Sequence, residues 1–165
     1  MYIINNKLYY KYLSWLDIYI GVKNQKLNKK MAINFAEYLI EYNKCDIDLL
    51  IEFFIDDNIR VEEILNIIKS LINNELITQD SKSIDKLRYI LLIEARELFN
   101  NNNELLEKIE DIYSSFNYPE DMIDFIYYMP NNKNITFNSP DEYTLYTIKL
   151  FDDYLVNLKI MIKSL

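Results

Sequence analysis

Asp46, Asp48, Glu52, Asp56 and Asp57 gather five carboxylates into the stretch 46–57. Hard cations such as magnesium or manganese take oxygen ligands, so Asp46, Asp48 and Glu52, or Asp56 and Asp57, are the residues an all-carboxylate site would use. The plainer reading gives each a local task. Asp46 caps a helix, Asp48 sits in the positive first turn, and Glu52 faces water. Zinc is a poor fit, because the chain has no histidine and one cysteine.

The missing histidine also removes Ser-His-Asp and Cys-His catalysis and the commonest general base near neutral pH. Cys45 stands beside Lys44, where a thiolate is favoured, but nothing completes a catalytic set around it. One glycine cannot build a phosphate-cradling loop, which excludes P-loop and dinucleotide folds. Carboxylate pairs such as Glu62-Glu63, Glu120 with Asp124, and Asp152-Asp153 are routine on solvated helix faces, where adjacent residues point apart.

A second constellation is Tyr118 to Pro130, reading Y-P-E-D-M-I-D-F-I-Y-Y-M-P. Tyrosine and methionine are enriched in interface cores, so Tyr118, Glu120, Asp121, Tyr127 and Tyr128 join Asp46, Asp48, Glu52, Asp56 and Asp57 as candidate partner-binding residues. The competing reading makes Met122, Phe125, Ile126 and Met129 anchors of a turn and short helix.

Charge is uneven. Residues 1–30 carry six lysines against Asp17 alone, whereas beyond residue 30 twelve basic residues stand against twenty-five acids, within a net charge of −8. A basic N-terminus beside an acidic body neutralises part of it. An acidic face that draws in a basic partner is the sharper reading. Nucleic-acid binding needs a basic stripe, found only where the N-terminal lysines interleave with Tyr9, Tyr10, Tyr12 and Trp15, so no nucleic acid is expected.

The elements that must position these groups are helical. Ser14 and Asp17 have capping-box character ahead of a helix near 14–23, where Gly21 marks close packing or an early end. Asn28 caps a helix from Met31 to about Asn43. Asp46 caps a short helix, apolar on more than one face and placed near the middle of the core. The next runs from Val61 to Ile72. Ser83 opens a long helix through Phe99, Asn103 caps another reaching Phe116, and a short helix covers 120–128. Ser139-Pro140-Asp141-Glu142 starts the last helix, with Lys159 and Lys163 at its negative end. A strand pair around Asn5-Asn6 is the alternative for Met1 to Tyr12. The sum is an all-α chain, an irregular bundle or stacked helical hairpins of seven to eight helices in a single domain over 1–165.

A 20.0 kDa chain of this kind buries enough surface to fold without metals or disulfides, so no cofactor is expected. The lone cysteine fits a reducing compartment, and no apolar run reaches the roughly 18 residues of a membrane span. Neither a secretory leader nor a membrane is expected, and the cytoplasm is the predicted location. Abundant Ile, Asn, Lys and Tyr read first as marks of a low-GC genome.

The strings Ser14-Trp15-Leu16-Asp17-Ile18-Tyr19-Ile20-Gly21 and Tyr118 to Pro130 resemble a family of small bacterial proteins known as domain of unknown function number 2247. The resemblance covers nearly the whole chain and brings no catalytic residues. It implies a bacterial cytosolic protein of this length, and small acidic helical proteins of that class resemble immunity proteins encoded beside polymorphic toxins. The leading expectation is therefore a non-enzymatic interaction protein, concretely an immunity protein that covers a basic toxin domain. The alternatives are a structural or adaptor subunit of a homo-oligomer and a carboxylate/divalent-metal enzyme.

Overall fold

The computed structural model describes residues 1–45, 48, 50–56, 58–72, 80–129 and 135–163; of Asp80 and 159–163 it describes the backbone. Among the described residues there are six α-helices: α1 (Trp15–Lys23), α2 (Lys30–Glu41), α3 (Val61–Leu71), α4 (Asp80–Leu98), α5 (Asn102–Ser115) and α6 (Pro140–Lys163). Shorter 3-10 helices occupy Lys7–Tyr12, Ile51–Phe54 and Glu120–Phe125. The fold is all-α. The only extended pairing among the described residues is one parallel bridge between Tyr2 and Leu27. No described helix is long and apolar enough to cross a membrane.

The chain divides into two compact units, Met1–Leu87 and Arg88–Leu165, with the division inside α4. In the first unit the N-terminal segment forms no strand pair. Instead Asn6 accepts from the Leu8 N–H at 3.0 Å and starts the 3-10 helix Lys7–Tyr12. The Ser14 N–H donates to Asp17 Oδ2 at 2.8 Å while the Asp17 N–H donates to Ser14 Oγ at 3.3 Å, the reciprocal bonds that the Ser14/Asp17 spacing predicts. α1 packs against α3 and α2, and α2 packs against both 3-10 helices of this unit. Fully buried Ile4, Ile18, Ile20, Leu27, Met31, Leu50, Ile64 and Ile68 fill the space between them. Each such side chain contributes about 1.5–3 kcal/mol.

Gly21 is where α1 comes closest to its surroundings. A Cβ there would lie 2.6 Å from Leu27 Cδ1 and 2.9 Å from Leu87 Cδ1. It marks close packing and not an early helix end, since α1 continues to Lys23.

With one glycine in the chain, helix termination falls to other residues. α1, α2 and α5 each end in a Schellman motif whose left-handed residue is Gln25 (φ 56°), Asn43 (φ 50°) or Asn117 (φ 63°). The diagnostic bonds are Lys26 N–H to Gly21 O at 2.8 Å, Lys44 N–H to Leu39 O at 2.8 Å, and Tyr118 N–H to Tyr113 O at 3.0 Å. Asparagine tolerates this conformation because its short amide bonds locally; Gln25 has no such relief.

In the second unit α6 packs on α5 and on the Glu120–Phe125 helix. Phe125 meets Phe151 at 5.4 Å and Tyr154 at 4.7 Å between ring centroids, and Arg96 Nε donates to Asp152 Oδ1 at 2.7 Å. Ser139 Oγ accepts from the Glu142 N–H at 3.2 Å, so Pro140 is the first residue of α6, as the Ser-Pro-Asp-Glu string predicts.

Five local expectations are corrected. α2 begins at Lys30 with Lys29 at its cap position, so Asn28 stands one residue ahead of the cap, where its side-chain oxygen accepts from the Lys30 N–H at 3.0 Å. α4 begins at Asp80, so Ser83 is a buried residue inside it and not its cap. α5 is capped by Asn101, whose side-chain oxygen accepts from the Asn103 and Glu104 N–H groups; Asn103 is a first-turn residue. The helix expected over 120–128 is a 3-10 helix that ends at Phe125. The apolar run 51–55 is not central to the core: Phe53 is buried, but Ile51, Phe54 and Ile55 are exposed. The capping role of Asp46 and the side chains of Lys159 and Lys163 lie outside the described residues.

Candidate functional site

The first candidate surface belongs to the first unit. Phe53 stacks on Trp15 with ring centroids 5.1 Å apart and planes 2° from parallel, and Trp15 in turn meets Phe35 edge-on at 4.9 Å. This stack buries Phe53 and turns its neighbours outward, because a 3-10 helix has about three residues per turn and cannot bury five consecutive side chains on one face. Ile51 is 53% exposed, Phe54 41% and Ile55 74%.

Exposed Asp48, Glu52 and Asp56 alternate with them along the same stretch. Asp56 also holds the turn that follows, accepting from the Asn58 N–H at 2.8 Å. The result is an apolar strip edged by carboxylates on a base clamped by aromatic stacking. Asp46 and Asp57, the other two acids assigned to this surface from the sequence, lie outside the described residues. No group of three or more His, Cys, Asp or Glu side chains among the described residues is placed to hold a metal ion.

The second candidate surface lies in the second unit. Tyr118 is the residue after the left-handed Asn117, and its ring packs edge-on against Tyr113 at 5.3 Å, the apolar contact that completes the Schellman motif. It remains 60% exposed, as does Tyr128 at 57%. Desolvation, then Tyr113, Glu110 and Tyr118, push the Tyr128 hydroxyl above its ordinary pKa. Glu110 is itself pushed up, first by desolvation and then by Glu107 and Asp111. These tyrosines and Glu110 therefore share one electrostatic neighbourhood.

Asp121 has another occupation. Arg88 Nη1 and Nη2 donate to its two carboxylate oxygens at 2.6 and 2.8 Å, and the Tyr154 hydroxyl donates to Oδ2 at 2.8 Å. Partial burial pushes this carboxyl up, but the bonds from Arg88 and Tyr154 outweigh it and hold the pKa below the ordinary aspartate value. Asp121 is engaged by Arg88 and Tyr154 although its side chain stays 47% exposed, and Glu120 beside it is exposed as well.

The Tyr127 ring packs on Tyr143 at 4.9 Å, and the Tyr143 hydroxyl donates to the Tyr127 carbonyl at 3.0 Å. Phe137 meets Tyr143 at 5.0 Å and Tyr146 at 5.2 Å. Beside these rings runs an open groove of about 470 Å3 lined by Ile135, Phe137, Asn138, Ser139, Pro140 and Tyr143.

Both diagnostic strings fall within residues 3–159, which match the family described as "Uncharacterized protein conserved in bacteria" (DUF2247). The chain belongs to the DUF2247 family. No curated protein and no solved structure matches it. Within this DUF2247 chain the string Ser14 to Gly21 is α1 with its capping box, and Tyr118 to Met129 is the Schellman exit of α5 followed by a 3-10 helix.

Sequence reasoning missed two features of the DUF2247 chain. The exposure of Ile51, Phe54 and Ile55 was hidden because apolar residues read as core. Phe137, Tyr143 and Tyr146 went unnoticed because they approach one another only once α6 and the preceding segment are in place. Aromatic residues on both sides of the Ser139-Pro140 helix start were the available signal.

Proposed function

We propose that this protein is a non-enzymatic binding protein whose partner is a basic protein domain, and more concretely a cytosolic immunity protein that covers a toxin domain. The observation that carries the reading is the strip Ile51, Phe54 and Ile55, exposed on a stacked aromatic base and edged by Asp48, Glu52 and Asp56. Exposed apolar side chains in close succession with a polar rim are the anatomy of a protein contact. Carboxylates at the rim favour a cationic partner and speed its encounter, and the buried centre supplies affinity. The stacked base is already formed in the free protein, which lowers the ordering cost on binding.

The test measures association of the protein with the basic protein encoded beside its gene. Phe54→Ser and Ile55→Ser should each weaken binding about tenfold or more while leaving stability within about 0.5 kcal/mol, because neither side chain is in the core. Added salt should slow association. A partner bound equally well by both variants, or an association rate indifferent to salt, would overturn the reading.

A homo-oligomeric subunit is the second reading, favoured by Leu145 and Val156, 61% and 62% exposed on α6. Eleven residues apart, they share one face about three turns from each other. A dimer that survives dilution in sedimentation supports it, and a clean monomer removes it.

A further inference from the structure

We propose that the groove beside Phe137 and Tyr143 in the second unit is a recognition site for an arginine side chain of a protein partner. Its lining combines ring faces with acceptors. Phe137 and Tyr143 line the groove, and the Phe137 ring lies 5.0 Å from Tyr143 and 5.2 Å from Tyr146, which stands behind it, at tilts of 56° and 47°, so the rings present faces and edges in different directions. Ring faces carry negative potential and attract guanidinium groups, which stack on them flat.

The hydrogen-bonding groups point the same way. Several donors at the groove are spent inside the protein: the Asn138 N–H and Nδ2 both donate to Glu142 Oε2, at 2.7 and 3.1 Å, and the Tyr143 hydroxyl donates to the Tyr127 carbonyl. These bonds leave acceptors behind in the lining, namely the Tyr143 oxygen and the Asn138 carbonyl oxygen. A ligand that offers many donors and no acceptor matches this inventory, and guanidinium has five N–H groups in a planar fork.

An anion is disfavoured. Glu142 already places its carboxylate at the N-terminal turn of α6, and Asp141 stands beside it. A proline-rich segment would use the rings but not the acceptors.

This site is separate from the strip at Ile51 to Ile55, so each proposal can fail alone. The probe is a blocked Gly-Arg-Arg-Gly peptide, compared with the same peptide carrying citrulline and with a blocked tetraproline. Binding is read from ring-proton shifts of Phe137, Tyr143 and Tyr146. The arginine peptide should bind about tenfold more tightly than the citrulline peptide.

Tyr143→Leu should abolish that preference, whereas Tyr143→Phe keeps the ring and should retain most of it. Phe137→Leu serves as a second ring deletion that leaves the α6 residues intact. Phe54→Ser should bind the probe as the parent does. Equal binding of arginine and citrulline peptides, preference for tetraproline, or no shifts with any peptide would overturn the assignment.

Discussion

Replacing Asp121 by Asn separates two roles that a carboxylate on a tyrosine-rich segment can have. A docking charge at the surface costs little to neutralise, within about 0.5 kcal/mol. Here the partner is Arg88, whose side chain is 5% exposed while that of Asp121 is 47% exposed. The substitution removes two charge-assisted bonds from a buried guanidinium and turns an amide N–H2 toward it. Breaking a fully buried pair costs about 3–5 kcal/mol; with the carboxylate half in solvent, about 2–3 kcal/mol is expected.

Asp121→Asn should therefore lower the urea midpoint clearly, and Arg88→Met/Asp121→Asn should be less destabilised than Asp121→Asn alone, because no buried charge is then left behind. The pH dependence has a defined sign. The folded-state pKa of Asp121 is lowered, so its contribution is fully present above the ordinary aspartate value of about 4 and is lost as pH falls through the lower folded value. The gap between parent and variant should close in acid. A variant within 0.5 kcal/mol of the parent at neutral pH, or a gap unchanged on acidification, would refute the structural role of this carboxylate.

Gly21→Ala gains about 1 kcal/mol of helix propensity but drives a methyl group within 2.6–2.9 Å of Leu27 and Leu87, both fully buried. Overpacking of that kind costs about 1–3 kcal/mol, so a net loss near 1 kcal/mol should appear in denaturant unfolding, and a stabilised variant would contradict the packing. Asn101→Ala should cost about 1 kcal/mol through the lost cap, whereas Asn103→Ala should stay within about 0.5 kcal/mol; the reverse order in thermal melts would return the cap to Asn103.

The helices themselves were legible because their causes are local. Ser14 and Asp17 sit three residues apart, and Ser139-Pro140 combines a cap with a preset φ. Each therefore starts its helix whatever surrounds it. Asn101 and Asn103 show where local chemistry ends: four consecutive asparagines offer equivalent caps, and the choice is made by which register buries Leu105, Leu106 and Ile109. Ser83 illustrates the same limit, since a good capping residue can also be absorbed into a longer helix. Part of the candidate surface was legible as composition, the acids at 48–56 and the tyrosines at 118–128, but which of them face outward was not.

The sequence alone determined an acidic all-α chain, its histidine-free chemistry, most helix bounds and the family to which it belongs, because periodicity, caps and composition act over a few residues. Tertiary structure decided the rest. Trp15 had to stack on Phe53 before Ile51, Phe54 and Ile55 could be turned outward, and Lys86 pairs with Asp17 across 69 residues of chain. Arg88 lies 33 residues from Asp121 yet occupies its carboxylate. Charge and hydrophobicity are properties of a residue, but exposure and pairing are properties of its neighbours, and those neighbours are assembled only by the fold.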